Sequence, residues 1–223
     1  MKKVLLIIAI LATYTCGMMA QTKTANEYKQ QIKERKEMLK YSDKVLKSKI
    51  AKSAKAAVKQ LKKEGWKPFP GEAPLENQFN EKMRLATLMD GILPKYLMGE
   101  GNAVSNIRQV ATKSAEVSAR SGIAAQFKVE IDEVIDQSLN GNQRNQDEDA
   151  MVRIVSEETQ HISQTLQYVM PIIKMYRERN DGKVEVNVTM YTETNQAKLA
   201  LFEKMEAQNA ALREKLEKAI ENK

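Results

Sequence analysis

The stretch Ile172–Tyr191, IIKMYRERNDGKVEVNVTMY, decides the fold. Ile172 to Arg177 and Lys183 to Tyr191 are strand-like runs joined by the polar segment Glu178-Arg179-Asn180-Asp181-Gly182. An Asp-Gly pair between such runs signals a tight hairpin, because glycine accepts a positive φ without steric cost. In the second run Val184, Val186, Val188 and Met190 alternate with Lys183, Glu185, Asn187, Thr189 and Tyr191. Period two places the first set on a covered sheet face and the second on a face that is wet or partly wet.

Helical periodicity surrounds this hairpin. Upstream, Asp147 to Val169 repeats through Met151, Ile154, Val155, Ile162, Leu166 and Val169, starts on acids that suit a helix N-terminus, and stops at Pro171. Before it lie a polar loop, Asn140 to Gln146, and a long helix from Ala103 to Leu139. The small residues Ala111, Ala115, Ser118, Gly122 and Ala125 on that helix form a face that can lie close to a neighbour. Ile92 to Met98 reads as a strand in which Pro94 requires an edge or an early position. Gly99-Glu100-Gly101 then reads as the tight turn into the helix. Downstream, Asn195 to Glu221 is a solvated helix docked by Leu201, Met205, Leu212, Leu216 and Ile220. The order strand, long helix, helix, strand, strand, helix predicts an α+β fold. Its sheet is small, antiparallel or mixed, with about three strands and with long helices packed on one face.

The N-terminal part is different in kind. Asn26 to Glu64 holds no Gly or Pro, and Tyr28, Ile32, Leu39, Leu46, Ile50, Ala54, Ala57 and Leu61 form one face of a long amphipathic helix. Lysines cover the rest of it, and Gly65 closes it. Trp66-Lys67-Pro68-Phe69-Pro70-Gly71 reads as a linker, followed by a short helix from Pro74 to Met89. The expected organisation is thus a signal peptide at 1–20, a basic helical segment at 21–65, a linker and short helix at 66–91, and an α+β domain at 92–223.

Met1-Lys2-Lys3 followed by the apolar run Val4 to Ala12 has the layout of a secretory signal, and the run is too short to span a bilayer. Cleavage after Ala20 leaves Gln21 first and no transmembrane helix in the mature chain. Cys16 has two readings: a lipidation site, which Thr13-Tyr14-Thr15 matches poorly, or a passenger in the discarded peptide. One Cys and one His exclude an internal disulfide and disfavour nitrogen or sulfur metal sites. Charge is segregated: residues 21–70 hold 15 Lys and Arg against 5 acids, whereas residues 71–223 hold 19 against 24.

Candidate chemistry is sparse. Gly99-Glu100-Gly101-Asn102-Ala103-Val104 mimics a dinucleotide fingerprint, but no parallel strand follows its helix, so a structural role is expected. His161 lacks a nucleophile with an orienting group at any recognisable spacing. Asp132, Glu133 and Asp136 fit the polar side of a helix, and Asn142, Asn145, Asp147 and Asp149 lack EF-hand spacing. No catalytic residue, cofactor or metal ligand is therefore expected. The lysine-rich helix is the feature with a functional reading, since its charge attracts anionic groups through salt-sensitive forces. Lys44, Lys47, Lys52, Lys55 and Lys59 are the candidate anion contacts. An exported protein meets little nucleic acid, so the expected partners are an envelope protein, an anionic surface of lipid head groups or acidic polysaccharide, or a second copy of the chain.

Tyr96-Leu97-Met98-Gly99-Glu100-Gly101, the Ala- and Ser-rich helix after it, the late hairpin and the terminal helix together resemble the Lpp-twenty family of small envelope lipoproteins. Lys63-Glu64-Gly65-Trp66-Lys67-Pro68 with Pro74-Leu75-Glu76-Asn77-Gln78 is similar to a segment of uncharacterised exported proteins of Gram-negative bacteria. The resemblance spans residues 63 to about 222 at most. It implies a strand ending in a Gly-x-Gly turn, an alanine-rich helix, a periplasmic or outer-membrane location, and no catalytic site. The leading expectation is a non-enzymatic exported envelope protein acting through protein or surface contacts. The alternatives are an anionic-ligand binding module using the Lys-rich helix, and a hydrolase built on carboxylates.

Overall fold

The computed structural model describes residues 25–38, 43–138, 149–150, 152–157, 166 and 168–221. The expected signal peptide with Cys16, Leu139, the loop at 140–146 and positions 158–165, which include His161 and Ile162, lie outside the described residues. In chain order the elements are α1 (Ala25–Met38), α2 (Asp43–Lys63), β1 (Lys67–Pro68), α3 (Leu75–Ala86), β2 (Met89–Asp90), β3 (Leu93–Pro94), β4 (Tyr96–Ser105), α4 (Arg108–Ser138), β5 (Met170–Glu178), β6 (Val184–Glu193) and α5 (Thr194–Glu221). The protein is α+β.

The hairpin expected at Ile172–Tyr191 is β5–β6, turned at Gly182 with φ of 77°. An extra residue enters β5 between Pro171 and Ile173, bulging the strand against its partner. β4 pairs antiparallel with the far side of β6, and β1 pairs antiparallel with β5, giving the order β1-β5-β6-β4. The sheet therefore has four strands rather than about three, because Lys67–Pro68, inside the expected linker, pairs with Tyr176 and Met175. The expected strand from Ile92 divides in two. Leu93–Pro94 folds back on Met89–Asp90 as a separate ribbon around Gly91, where a proline removes no bond from the main sheet.

β4 overturns the expected Gly-Glu-Gly turn. The strand runs straight through Gly99 and Gly101, neither with positive φ, and α4 starts only at Arg108. The glycines serve close packing instead. A Cβ at Gly99 would lie 1.8 Å from the Ala119 carbonyl oxygen, and one at Gly101 would lie 1.9 Å from that of Ala115. The helix backbone rests on the strand backbone, and Ala111, Ala115 and Ala119, four residues apart, supply the buried helix face. The small-residue face is thus rotated from the expected one: Ala119 takes the place of Ser118, and Ser118 and Ala125 are half-buried at its flank.

Helices cover both faces of the sheet, not one. Val186, Val188 and Met190 of β6 join Leu97, Ile123, Phe127, Ile131, Leu201 and Met205 in the larger core beneath α4 and α5. Each fully buried side chain of this size contributes about 1.5–3 kcal/mol. On the opposite face Ile173 and Met175 of β5 pack with Ala54 and Val58 of α2, Trp66, and Leu75 and Phe79 of α3. The second helical layer exists because α2 and α3 each carry an apolar stripe that β5 completes. Gln78 of α3 joins it to the strand, accepting from the Lys174 backbone N–H at 2.9 Å. α1 docks on α4 through Ile32 against Val129 and through a buried ion pair between Arg35 and Glu130. In α5, Leu201, Met205, Leu216 and Ile220 are buried as the spacing predicts. No helix among the described residues is long and apolar enough to cross a membrane.

Candidate functional site

α2 carries eight lysines, no arginine, and one acid, Asp43, at its first position. With 3.6 residues per turn, Lys52, Lys55, Lys59, Lys62 and Lys63 fall within an arc of about 100°. Ile50, Ala54 and Val58 occupy the opposite side and are buried, with Ala57 and Leu61 partly buried beside them. Lys52, Lys55, Lys59 and Lys63 are exposed and have no ion pair among the described residues. Lys62 donates to Glu76 Oε1 of α3 at 2.8 Å. That hydrogen bond is the main cause holding the Glu76 carboxyl below its ordinary value, and the charges of Lys62 and Lys55 add to it.

The five expected anion contacts are not equivalent. Lys52, Lys55 and Lys59 share the exposed arc. Lys44 belongs to it by helical position, but its side chain is outside the described residues. Lys47 is exposed yet stands on the azimuth of the apolar stripe, one turn before Ile50, so the helix separates it from the others. Lys63 extends the face beyond the expected set.

A second polar constellation crosses the sheet face opposite α4. Its signal in the sequence is period two: Glu100 and Asn102 on β4 meet Glu185, Asn187 and Thr189 on β6. Glu185 accepts from Asn102 Nδ2 at 2.9 Å and from Arg177 Nε at 2.8 Å. Glu100 accepts from Asn187 Nδ2 at 3.0 Å and from Lys82 Nζ at 3.3 Å, and Lys82 also donates to Thr189 Oγ1 at 3.4 Å. Arg177 lies over the Trp66 ring, 4.7 Å from its centroid. Contrary to the wet face expected for this side of β6, Glu185, Asn187 and Thr189 are buried. Mutual pairing and the α2–α3 layer remove them from water.

This arrangement suits structure better than catalysis. Each carboxylate is matched by a cation and an amide donor, which hold its charge in place. The Oδ1 atoms of Asn102 and Asn187 are enclosed acceptors without a hydrogen-bond partner among the described residues, and their enclosure denies a substrate access to them. A shallow depression of about 410 Å³ at the hairpin end is lined by Glu64, Arg177, Glu178, Arg179, Asn180 and Asp181. Arg179 and Arg177 there pair with Asp181 and Glu64 at 3.5 and 3.9 Å, so both of its cations are engaged by neighbouring carboxylates.

The other sequence candidates do not converge. Asp132 and Glu133 are half-buried on α4, Asp136 is exposed near its end, and Asp149 is exposed. Asn142, Asn145 and Asp147 lie outside the described residues. Among the described residues no three His, Cys, Asp or Glu side chains form a group able to hold a metal ion. No protein-family model, no curated protein and no solved structure matches the chain.

Proposed function

We propose that this chain is an exported cell-envelope protein that acts through protein or surface contacts, without catalysis, and that the lysine face of α2 is its contact with an anionic partner. The observation that carries the reading is the division of α2 into two sides. Its apolar side is consumed by α3 and β5, while Lys52, Lys55, Lys59 and Lys63 are exposed and make no ion pair among the described residues. Charges placed for solubility alone are normally interspersed with opposite ones; a face of one sign is a field directed outward. The basic and apolar start of the chain supports export, and the likeness to Lpp-twenty proteins points to the same compartment.

The rival reading is a carboxylate-based hydrolase, favoured by the presence of Glu100 and Glu185 on one sheet face. One experiment separates the two. The purified chain is expected to leave peptidoglycan fragments, acidic polysaccharide and phospholipid intact, and to bind polyanions with an affinity that falls as salt rises. Turnover that Glu100→Gln or Glu185→Gln abolishes would replace the contact reading with the hydrolase.

A further inference from the structure

The anionic partner can be narrowed from the shape and chemistry of the lysine face. We infer that α2 lies along a bilayer surface carrying anionic phosphate headgroups and holds it by charge alone, without inserting side chains into the acyl layer. The inference rests on the contact reading above and adds the class of partner and the mode of binding.

The first argument is geometric. From Lys52 to Lys63 the helix rises about 16 Å, and the exposed lysines follow that line along the convex surface of the helix. Such a row matches an extended surface and gives a small ligand nothing to enclose it. The second argument is chemical. All eight basic residues of α2 are lysine. Lysine is a hydrated point charge on a flexible stem, whereas the planar fork of arginine is what recognises one carboxylate or phosphate in fixed geometry. A lysine face without an arginine suits dispersed, laterally mobile charge, which a fluid bilayer supplies and gathers beneath the helix.

The mode follows from the other side of α2. A helix that enters the interface buries bulky apolar side chains there. Here Ile50, Ala54 and Val58 are already buried in the fold, and Trp66, just past the helix end, is covered by the same core. The exposed arc holds lysines with Ser48 among them, Ala51 at one edge and Val45, 45% exposed, at the other near the helix start, so it offers no aromatic or long aliphatic side chain to insert. One valine adds little to the hold of the lysines, so binding is electrostatic in the main, and screening within a Debye length of about 10 Å at 0.1 M salt governs it.

The test is sedimentation of the full chain with vesicles of phosphatidylcholine alone or with about one third phosphatidylglycerol, across a range of salt, while Trp66 emission is followed. The expected result is binding only to the anionic vesicles, falling steeply with salt, with Trp66 emission unchanged. Each lysine near an anionic surface contributes about 1 kcal/mol, so Lys52→Glu/Lys55→Glu/Lys59→Glu should weaken binding by roughly 100-fold or more. These three side chains are exposed, and an unaltered circular dichroism spectrum shows that the variant remains folded. Equal binding to neutral vesicles, or a blue shift of Trp66 emission on binding, overturns the charge-only mode. If vesicles are ignored but a soluble acidic polysaccharide is retained by the same lysines, the bilayer is wrong and the contact reading stands. If neither is bound, both fall.

Discussion

A methyl group has no room at Gly101. It would sit 1.9 Å from the Ala115 carbonyl oxygen and 2.6 Å from the Ala119 amide nitrogen, both of them backbone atoms of α4. A side chain in the way can change rotamer; a helix backbone cannot, so strand and helix would have to part. Gly101→Ala is therefore expected to cost about 3 kcal/mol or more, at or above the top of the usual range for overpacking. This holds even though alanine is the less entropically costly residue in the unfolded chain. Urea denaturation measures it, with Ser121→Ala, an exposed site on the same helix, expected within about 0.5 kcal/mol of the parent. The same residue shows why the glycine pair is ambiguous in sequence. Gly-x-Gly suits a turn as well as a strand that needs a bare face. Only its conjunction with Ala111, Ala115 and Ala119 at period four distinguishes them, and neither half of that match is visible in the other's sequence.

At the scale of elements, α1 is held to α4 by a buried ion pair as well as by apolar contact. Among the described residues, Ile32 is its buried apolar residue against Val129, and Arg35 adds to the hold on α4, its two terminal nitrogens donating to Glu130 at 2.9 and 2.7 Å. Gln126 donates to the same carboxylate at 3.3 Å, and its Oε1 accepts from the Met98 backbone N–H at 2.6 Å, so the contact continues to β4. Both ionic side chains are almost wholly enclosed, at 7% and 4% exposure. Removing one partner strands the other charge. Arg35→Met should cost about 3–5 kcal/mol, whereas Arg35→Met/Glu130→Leu should return close to the parent stability. A double-mutant cycle by chemical denaturation checks both numbers. The hairpin and the apolar stripes of α2 and α5 are legible in the sequence because each is a local period; helix bounds are less so, since α4 begins at Arg108 rather than Ala103 and the helix expected to reach Val169 is not helical at Leu166, Tyr168 and Val169. Arg35–Glu130 is not, since its partners are 95 residues apart, and an arginine among lysines carries no mark of burial. β1 is hidden for a related reason: Lys67–Pro68 looks like a linker until Tyr176 and Met175 are placed beside it. The polar residues of β6 look solvent-facing in sequence because their burial depends on partners contributed by β4, β5 and α3.

For the whole molecule the decisive property is where its charge is not neutralised. The acids that outnumber bases beyond residue 70 are in part spent within their own elements, as in Arg213 with Glu206 and Glu217 or Lys218 with Glu214. On the lysine arc of α2, Glu76 reaches across to pair with Lys62. Lys59, by contrast, has Lys55 and Lys63 four residues away on either side and Lys62 three residues away. Like charges at those spacings oppose the helix by about 0.2–0.5 kcal/mol each, and opposite charges favour it by similar amounts. If the lysine row is kept for folding, reversing one member should weaken the protein. If it is kept for an anionic partner, the molecule gives up some stability to hold it, and Lys59→Glu should do two things at once. It should raise stability by about 1–2 kcal/mol, since repulsive pairs with Lys55 and Lys63 become attractive ones. It should also weaken binding to an anionic surface, at low salt most of all. Thermal unfolding and a salt-dependent binding isotherm on the one variant decide the matter: stability and binding must move in opposite directions, and a variant that loses both would assign Lys59 to the fold.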